Sequence, residues 1–146
     1  MIYEPERYPY VERVSDLETV SLAPMLPLTL SRASSVTTWG LLDSGSAVNT
    51  LPYQLGLELG GIWDEQSFFI PLSGKLAGFK AKGLLIATRI GSFPAVNLAF
   101  AWAETDSIPV LLGQTNFFQE FDVCFFRSRS MFEVRPKQVS TSPNPD

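Results

Sequence analysis

The chain has 146 residues, of which 45% are hydrophobic and 18% are charged, so its length and composition fit one globular domain with a sizeable core. A formal net charge of -4 at pH 7 argues against a nucleic-acid partner, because phosphate binding needs clustered lysine and arginine. The chain has no histidine and a single cysteine, Cys124, which excludes a Ser-His-Asp triad, a Cys-His pair, a histidine-ligated zinc site and an internal disulfide.

Short apolar segments separated by turn signals predict an all-β domain with one short C-terminal helix. Residues 1–20 have no sustained period and predict an irregular N-terminal arm. Residues 21–135 form the predicted domain, and the polar, proline-rich residues 136–146 predict a disordered tail. In chain order, the predicted strands cover Met25–Leu30, Ser35–Leu42, Ser67–Leu72, Phe79–Ile90, Ala95–Trp102, Ile108–Leu112, Phe121–Phe126 and Met131–Val134, and the predicted helix covers Thr115–Glu120. We expect Cys124, inside one of these strands, to be an inert core residue.

The segment that can carry chemistry is Leu41-Leu42-Asp43-Ser44-Gly45-Ser46. Two apolar residues lead into Asp43, which favours a carboxylate at the end of a buried strand. Gly45 allows the backbone to approach the carboxylate closely and donate N–H groups to it. By itself, Asp-Ser-Gly is also typical of a type I turn or a bulged hairpin. The interpretation therefore depends on a second motif.

That second motif is Val110-Leu111-Leu112-Gly113, followed by Asn116-Phe117-Phe118. With it, the chain resembles the retropepsin-like (retroviral-type) aspartic proteases, in particular their bacterial and cyanobacterial members, over roughly residues 25 to 134. The first segment is similar to the family's hydrophobic-hydrophobic-Asp-Thr/Ser-Gly-Ala/Ser motif, and the second to its apolar-apolar-Gly-helix motif. Two positions depart from the family: Asn49 replaces a more usual Thr or Ser, and Gln114 replaces an Arg that helps to hold the retroviral dimer together.

The resemblance implies a retropepsin-like closed barrel, equivalent to half of a pepsin-like bilobal fold. It also implies an aspartic endopeptidase that activates water between two carboxylates sharing one proton. Since the D-[ST]-G pattern occurs once, at Asp43, the resemblance implies a homodimer with one Asp43 from each subunit on the two-fold axis. The implied catalytic residues are Asp43, Ser44 and Gly45, and the implied substrate-binding residues are Ser46, Ser73, Gly74 and Lys75.

Several interpretations stay open at this stage. Gly74 is either the tip of a flap that closes over a peptide or a plain hairpin turn. Tyr3, Tyr8 and Tyr10 either pack at the dimer interface or belong to a loose arm. Two alternative functions are an inactive retropepsin-like dimerisation or binding module and an unrelated small β-barrel that binds a ligand. We expect a polypeptide substrate, no cofactor or metal, no membrane partner and a cytoplasmic location, because the chain lacks cofactor motifs, a spanning segment and a signal-peptide core.

Overall fold

The computed structural model describes residues 2–14 and 18–138. Within these ranges the elements, in chain order, are β1 (Glu6–Pro9), β2 (Val11–Val14), β3 (Val20–Ala23), β4 (Met25–Ser31), β5 (Ser35–Leu42), β6 (Asn49–Leu51), α1 (Tyr53–Glu58), β7 (Ala81–Arg89), β8 (Val96–Ala103), β9 (Leu111–Leu112), α2 (Phe117–Glu120), β10 (Phe121–Phe126) and β11 (Met131–Pro136). Short 3-10 turns lie at Trp63–Glu65, Gly74–Leu76 and Arg127–Arg129. This part of the chain contains no helix long and apolar enough to cross a membrane.

Six strands close into a barrel in the order β4-β5-β9-β6-β8-β7, which confirms the predicted all-β fold. The barrel closes because alternate apolar residues of its strands point to one side. Leu26 and Leu30 of β4 are fully buried, as are Leu98 and Phe100 of β8. These side chains belong to one hydrophobic core cluster, which also contains Leu42 and Leu112 at the ends of β5 and β9.

Strand β9 lies between two strands that follow one another in the chain. It runs parallel to β5, with Leu41 opposite Leu111, and antiparallel to β6, with Thr50 opposite Leu111. The turn that connects β5 to β6 therefore passes around the end of β9. This topology brings residues 43–48 against the segment that follows Leu112.

One helix was not predicted, and another begins later than expected. Helix α1 has only six residues and includes Gly56, so it lacks the length that makes a helical period visible. A Cβ at Gly56 would lie 2.1 Å from the indole nitrogen of Trp102, which shows that glycine is needed for this close packing. Helix α2 begins at Phe117 rather than Thr115, with Asn116 at the N-cap position.

The predicted strand over Ser67–Leu72 is wrong. Its residues make one isolated antiparallel bridge, between Phe69 and Lys82, and then leave the sheet. Pro71 has no backbone N–H to continue a ladder. Beyond it the backbone forms local bonds instead, with the N–H of Leu76 donating to the carbonyl of Ser73 at 3.2 Å.

The predicted irregular arm is also wrong over residues 6–14, where the chain forms β1 and β2. Strand β1 pairs with β11, with Glu6 opposite Val134, and a pairing so distant in sequence leaves no local pattern. Tyr8 and Tyr10 pack on Phe132 of the same chain, at ring-centroid distances of 5.5 and 5.9 Å. Strand β2 forms a separate hairpin with β3.

The C-terminal elements bring two further differences. Pro136, the first residue of the predicted tail, belongs to β11, while residues 139–146 lie outside the described residues. Cys124 is exposed rather than buried, because side chains alternate along β10 and Cys124 lies on the outer face with Asp122, whereas Phe121 and Val123 face inward.

Glu6 fastens β1 to the turn between β7 and β8. Its carboxylate accepts hydrogen bonds from the backbone N–H of Ser92 at 3.0 Å and from the hydroxyl of Tyr8 at 2.8 Å. Partial burial raises the pKa of Glu6, but the hydrogen bonds from Ser92 and Tyr8 outweigh it and leave that pKa below its ordinary value. The neighbouring Gly91 has a φ of +52°, and a Cβ there would overlap the Glu6 carboxylate.

Candidate active site

Asp43 directly follows β5 and is half-buried. Its backbone N–H donates to the carbonyl of Leu112 on β9 at 3.0 Å, which fixes the strand end. The N–H of Gly45 donates to Oδ1 of Asp43 at 3.0 Å, and the N–H of Ser46 donates to the Asp43 carbonyl at 3.0 Å. The carboxylate is therefore held by its own turn, with Gly45 in the donor position expected from the sequence.

Gly113 packs against the same turn from the end of β9. A Cβ at this position would lie 2.4 Å from the carbonyl oxygen of Val48 and 2.6 Å from that of Ser46. Real Cβ atoms do not approach backbone oxygens this closely, so any side chain at 113 would displace the turn. The glycine of the second sequence motif thus supports the conformation of the first.

The side chain of Asn49 joins the elements around this turn. Asn49 is fully buried, and its Oδ1 accepts a hydrogen bond from the N–H of Gly113 at 2.8 Å. Its amide nitrogen donates to the carbonyl of Ala99 at 3.0 Å and, more weakly, to Oδ1 of Asn116 at 3.3 Å. A threonine hydroxyl has one proton to donate, so it cannot make this set of bonds. In the sequence, Asn49 stood out as a departure from the motif that the chain resembles, but this positioning role was not identified.

Gln114, the second unusual position, also supports the Asp43 turn. Its Nε2 donates to the carbonyl of Ser44 at 2.8 Å, and its backbone N–H donates to the carbonyl of Ser46 at 2.8 Å. These contacts lie within one chain. The Gln114 side chain therefore stabilises the turn of its own chain.

A cleft of about 400 Å³ opens at Asp43 and contains all but one of the residues predicted for the site. Asp43, Gly45 and Ser46 form one side, and the loop bearing Ser73, Gly74 and Lys75 lies across from them; Ser44 is exposed beside the cleft. Residues that sequence reasoning missed also line it. They are the apolar Leu41, Pro71, Leu72, Leu76 and Leu111, with Arg13, Ala47, Val48 and Thr50.

The cleft residues that were not predicted have no sequence pattern that marks them as part of a site. The apolar ones look like ordinary core positions, and Arg13 belongs to the segment that predicted an irregular arm. The loop has a 3-10 turn at Gly74–Leu76 in place of a tight hairpin turn, and Gly74 has a φ of +63° with open space around its Cβ position. Over the described residues, no group of three or more His, Cys, Asp or Glu side chains is placed to hold a metal ion.

A solved structure with a similar fold is that of a retropepsin-like aspartic protease from Rickettsia conorii. The two align with a TM-score of 0.57 over 91% of this chain and 96% of that one. The fold is retropepsin-like. At 13% sequence identity the likeness establishes the architecture alone. No protein-family model matches the sequence, and no curated protein matches it either.

Within this retropepsin-like fold, Asp43 is the one acidic residue among the described residues that line the cleft, and it lies on a turn fixed by hydrogen bonds. A carboxylate at such a position can take a proton from water or share one with a second carboxylate. The hydrogen bond from the Gly45 N–H fixes the orientation of this carboxylate. Chemistry by a carboxylate pair would need a second acidic group at the same place.

Proposed function

We propose that the protein is a homodimeric aspartic endopeptidase in which each subunit contributes one Asp43 to a shared site. The observation that carries this proposal is the Asp43 carboxylate, fixed by the Gly45 N–H at 3.0 Å, in a cleft faced by the Ser73–Lys75 loop. The retropepsin-like fold of the chain supports it, and so does the motif that suggested a bacterial-type member of that family.

In the proposed reaction, a water molecule sits between the two carboxylates, which share one proton. The unprotonated carboxylate takes a proton from water as its oxygen adds to the scissile carbonyl carbon, and the other carboxylate donates its proton to the carbonyl oxygen. Collapse of this intermediate breaks the C–N bond: one carboxylate gives its proton to the amine nitrogen, the other takes a proton from a hydroxyl of the gem-diol, and the dyad again shares one proton. The substrate would bind extended, with main-chain hydrogen bonds to the loop around Gly74.

The need for a second chain follows from what the other described aspartates do. Oδ1 of Asp106 accepts a hydrogen bond from the N–H of Gln54 at 2.8 Å. Asp122 forms an ion pair with Arg135 at 3.4 Å. Asp64 is exposed in a 3-10 turn. None of these lines the Asp43 cleft, so the partner carboxylate is best supplied by a second copy on a two-fold axis.

The retropepsin-like fold also bears on the two alternative functions, an unrelated small barrel and an inactive dimerisation module. An unrelated small barrel does not account for the likeness to a retropepsin-like structure over nearly the whole chain. An inactive dimerisation module would need neither the Gly45 contact nor a cleft at Asp43. Purified protein that forms dimers but cleaves no peptide in a diverse library would favour that module and overturn the proposal.

The substitution Asp43→Asn tests the assignment directly. Asparagine is nearly isosteric but cannot act as a base or share the proton, so we expect loss of peptide cleavage by at least about a thousandfold. Circular dichroism and gel filtration should show an unchanged fold and assembly. Retained turnover in the pure variant would remove Asp43 from the mechanism.

Mixing the two proteins tests whether the site is shared. When wild-type and Asp43→Asn chains are co-refolded in equal amounts, random pairing leaves about a quarter of the dimers with two wild-type subunits. Activity at fixed total protein should then fall to about a quarter of the wild-type value, with exchange verified by a tag on one chain. A value of half would mean that each chain carries a complete site.

A further inference from the structure

Arg13 brings a positive charge from the N-terminal hairpin into the Asp43 cleft. It lies on β2, is half-buried, and lines the same cavity as Asp43 and Lys75. The hairpin leads through Pro24 into the barrel, and the carbonyl of Pro24 accepts a hydrogen bond from the N–H of Leu42 at 3.1 Å. The base of the hairpin is therefore anchored one residue before Asp43.

The guanidinium of Arg13 has no acidic partner among residues 2–14 and 18–138. The ion pairs in that part of the chain involve Arg7, Arg135 and Lys137 instead. A half-buried arginine without a counter-charge has lost part of its hydration and gained no ion pair in return. It is therefore available to a carboxylate that enters the cleft from outside.

The remaining charges of the cleft point to the same kind of ligand. Among the lining residues that belong to 2–14 and 18–138, only Arg13, Asp43 and Lys75 carry charge. In the proposed dimer the two Asp43 carboxylates share a proton and bear one negative charge, whereas the two copies of Arg13 and Lys75 bear four positive ones. The cleft is thus positive, although the chain as a whole carries a net charge of -4.

We propose that Arg13 is a specificity-determining residue that binds an Asp or Glu side chain of the substrate. The preferred substrates are then polypeptides with an acidic residue close to an apolar scissile bond. This inference rests on the proposed endopeptidase function and adds a substrate class to it. Arginine suits the task because its planar guanidinium can make two parallel hydrogen bonds to one carboxylate. Lys75 is exposed and adds a weaker, more screened attraction.

The test uses pairs of peptides that differ only by Glu or Gln, moved through the positions around an apolar cleavage site. For the wild-type protein we expect kcat/KM to favour the Glu peptide by about tenfold at one position, mainly through KM. In Arg13→Gln this ratio should fall towards one, and in Arg13→Glu a Lys peptide should become preferred over its Gln counterpart. The preference in the wild-type protein should also weaken as salt is raised.

Arg89→Gln is the matched control, because Arg89 is an exposed arginine of β7 outside the cleft. It should keep the wild-type Glu/Gln ratio. A wild-type ratio near one at every position, or an equal loss of the ratio in Arg89→Gln, would overturn the inference while leaving the endopeptidase proposal intact.

Binding measurements separate this inference from the proposed function. Fluorescent Glu and Gln peptides are titrated into Asp43→Asn protein, with and without Arg13→Gln. Tighter binding of the Glu peptide that depends on Arg13 supports the inference even if no cleavage is observed in the wild-type protein. Equal binding of both peptides contradicts it, whatever the outcome for catalysis.

Discussion

At the scale of residues, the Asp43 turn depends on side chains that take no part in the chemistry. Asn49 satisfies the N–H of Gly113 and the carbonyl of Ala99 from a fully buried position. Gly113 in turn allows the carbonyls of Ser46 and Val48 to pass close to its Cα. Such contacts couple the position of the carboxylate to the packing behind it, so substitutions there should affect activity and stability together.

Gly113→Ala tests this coupling. Its Cβ would lie 2.4 Å from the Val48 carbonyl oxygen, so the turn has to move, and we expect the free energy of unfolding to fall by about 1–3 kcal/mol. Activity should fall further than stability explains, because the Ser46 end of the turn moves with Asp43. Urea denaturation and kcat/KM measured at a temperature where the variant is folded separate the two effects.

Gly78→Ala provides the control, because no atom lies within 4 Å of its Cβ position. This replacement should change the free energy of unfolding by less than about 0.5 kcal/mol. If Gly113→Ala were equally mild, the tight packing of the turn described here would be wrong.

At the scale of elements, the Glu6 carboxylate links the N-terminal strand β1 to the turn between β7 and β8, in addition to the pairing of β1 with β11. Glu6 accepts hydrogen bonds from Ser92 and Tyr8, and these lower its pKa. A group whose pKa is lowered by folding stabilises the folded state fully above its ordinary value of 4.5, and that contribution is lost as pH falls through the folded value. Acid should therefore loosen β1 first.

We expect wild-type protein to be more stable than Glu6→Gln at pH 6, and the difference between their Tm values to shrink below about pH 4.5. The backbone N–H of Ser92 should also lose protection from hydrogen exchange over the same range. Glu12→Gln, which removes an exposed carboxylate from β2, is the matched control. A constant Tm difference between wild type and Glu6→Gln from pH 6 to pH 3.5 would contradict the role of Glu6.

The sequence predicts the elements whose signals are local and misses those whose partners are distant. Leu41–Gly45 and Val110–Gly113 locate the carboxylate and the glycine behind it, because strand, turn and glycine are adjacent in each motif. Strand β1 is missed because its partner β11 lies at the other end of the chain. For the same reason nothing in the sequence places Arg13 in the cleft, since only the folded hairpin brings it there.

At the scale of the whole molecule, the proposed site exists only in the assembled dimer. The cleft of the proposed dimer is positively charged, whereas the chain as a whole is acidic. Two like-charged subunits repel one another, most of all at low ionic strength, so assembly of the proposed dimer must come from the contacts around the two-fold axis. Under the proposed function, dimerisation is the step that completes the site as the protein concentration rises.

Specific activity should consequently fall on dilution, because the dimer dissociates by mass action. The measurement is the initial rate per milligram over a concentration range that spans the dissociation constant, with mass and size followed by analytical ultracentrifugation. Two copies joined by a flexible linker are the control, because tethering raises the effective concentration of the partner and should make specific activity independent of dilution. A loss of specific activity without a change in mass would count against a shared site.

The position of β9 between β5 and β6 has a consequence for the order of events during translation. Asp43 leaves the ribosome long before Leu112 and Gly113, and chains grow by roughly 5–20 residues per second. Until β9 is inserted, the Asp43 N–H lacks its Leu112 acceptor and the turn lacks its bonds from Gln114. A nascent chain that ends before β9 therefore lacks the Leu112 and Gln114 contacts that fix the strand end and the turn, so under the proposed function peptidase activity appears only after β9 has been made.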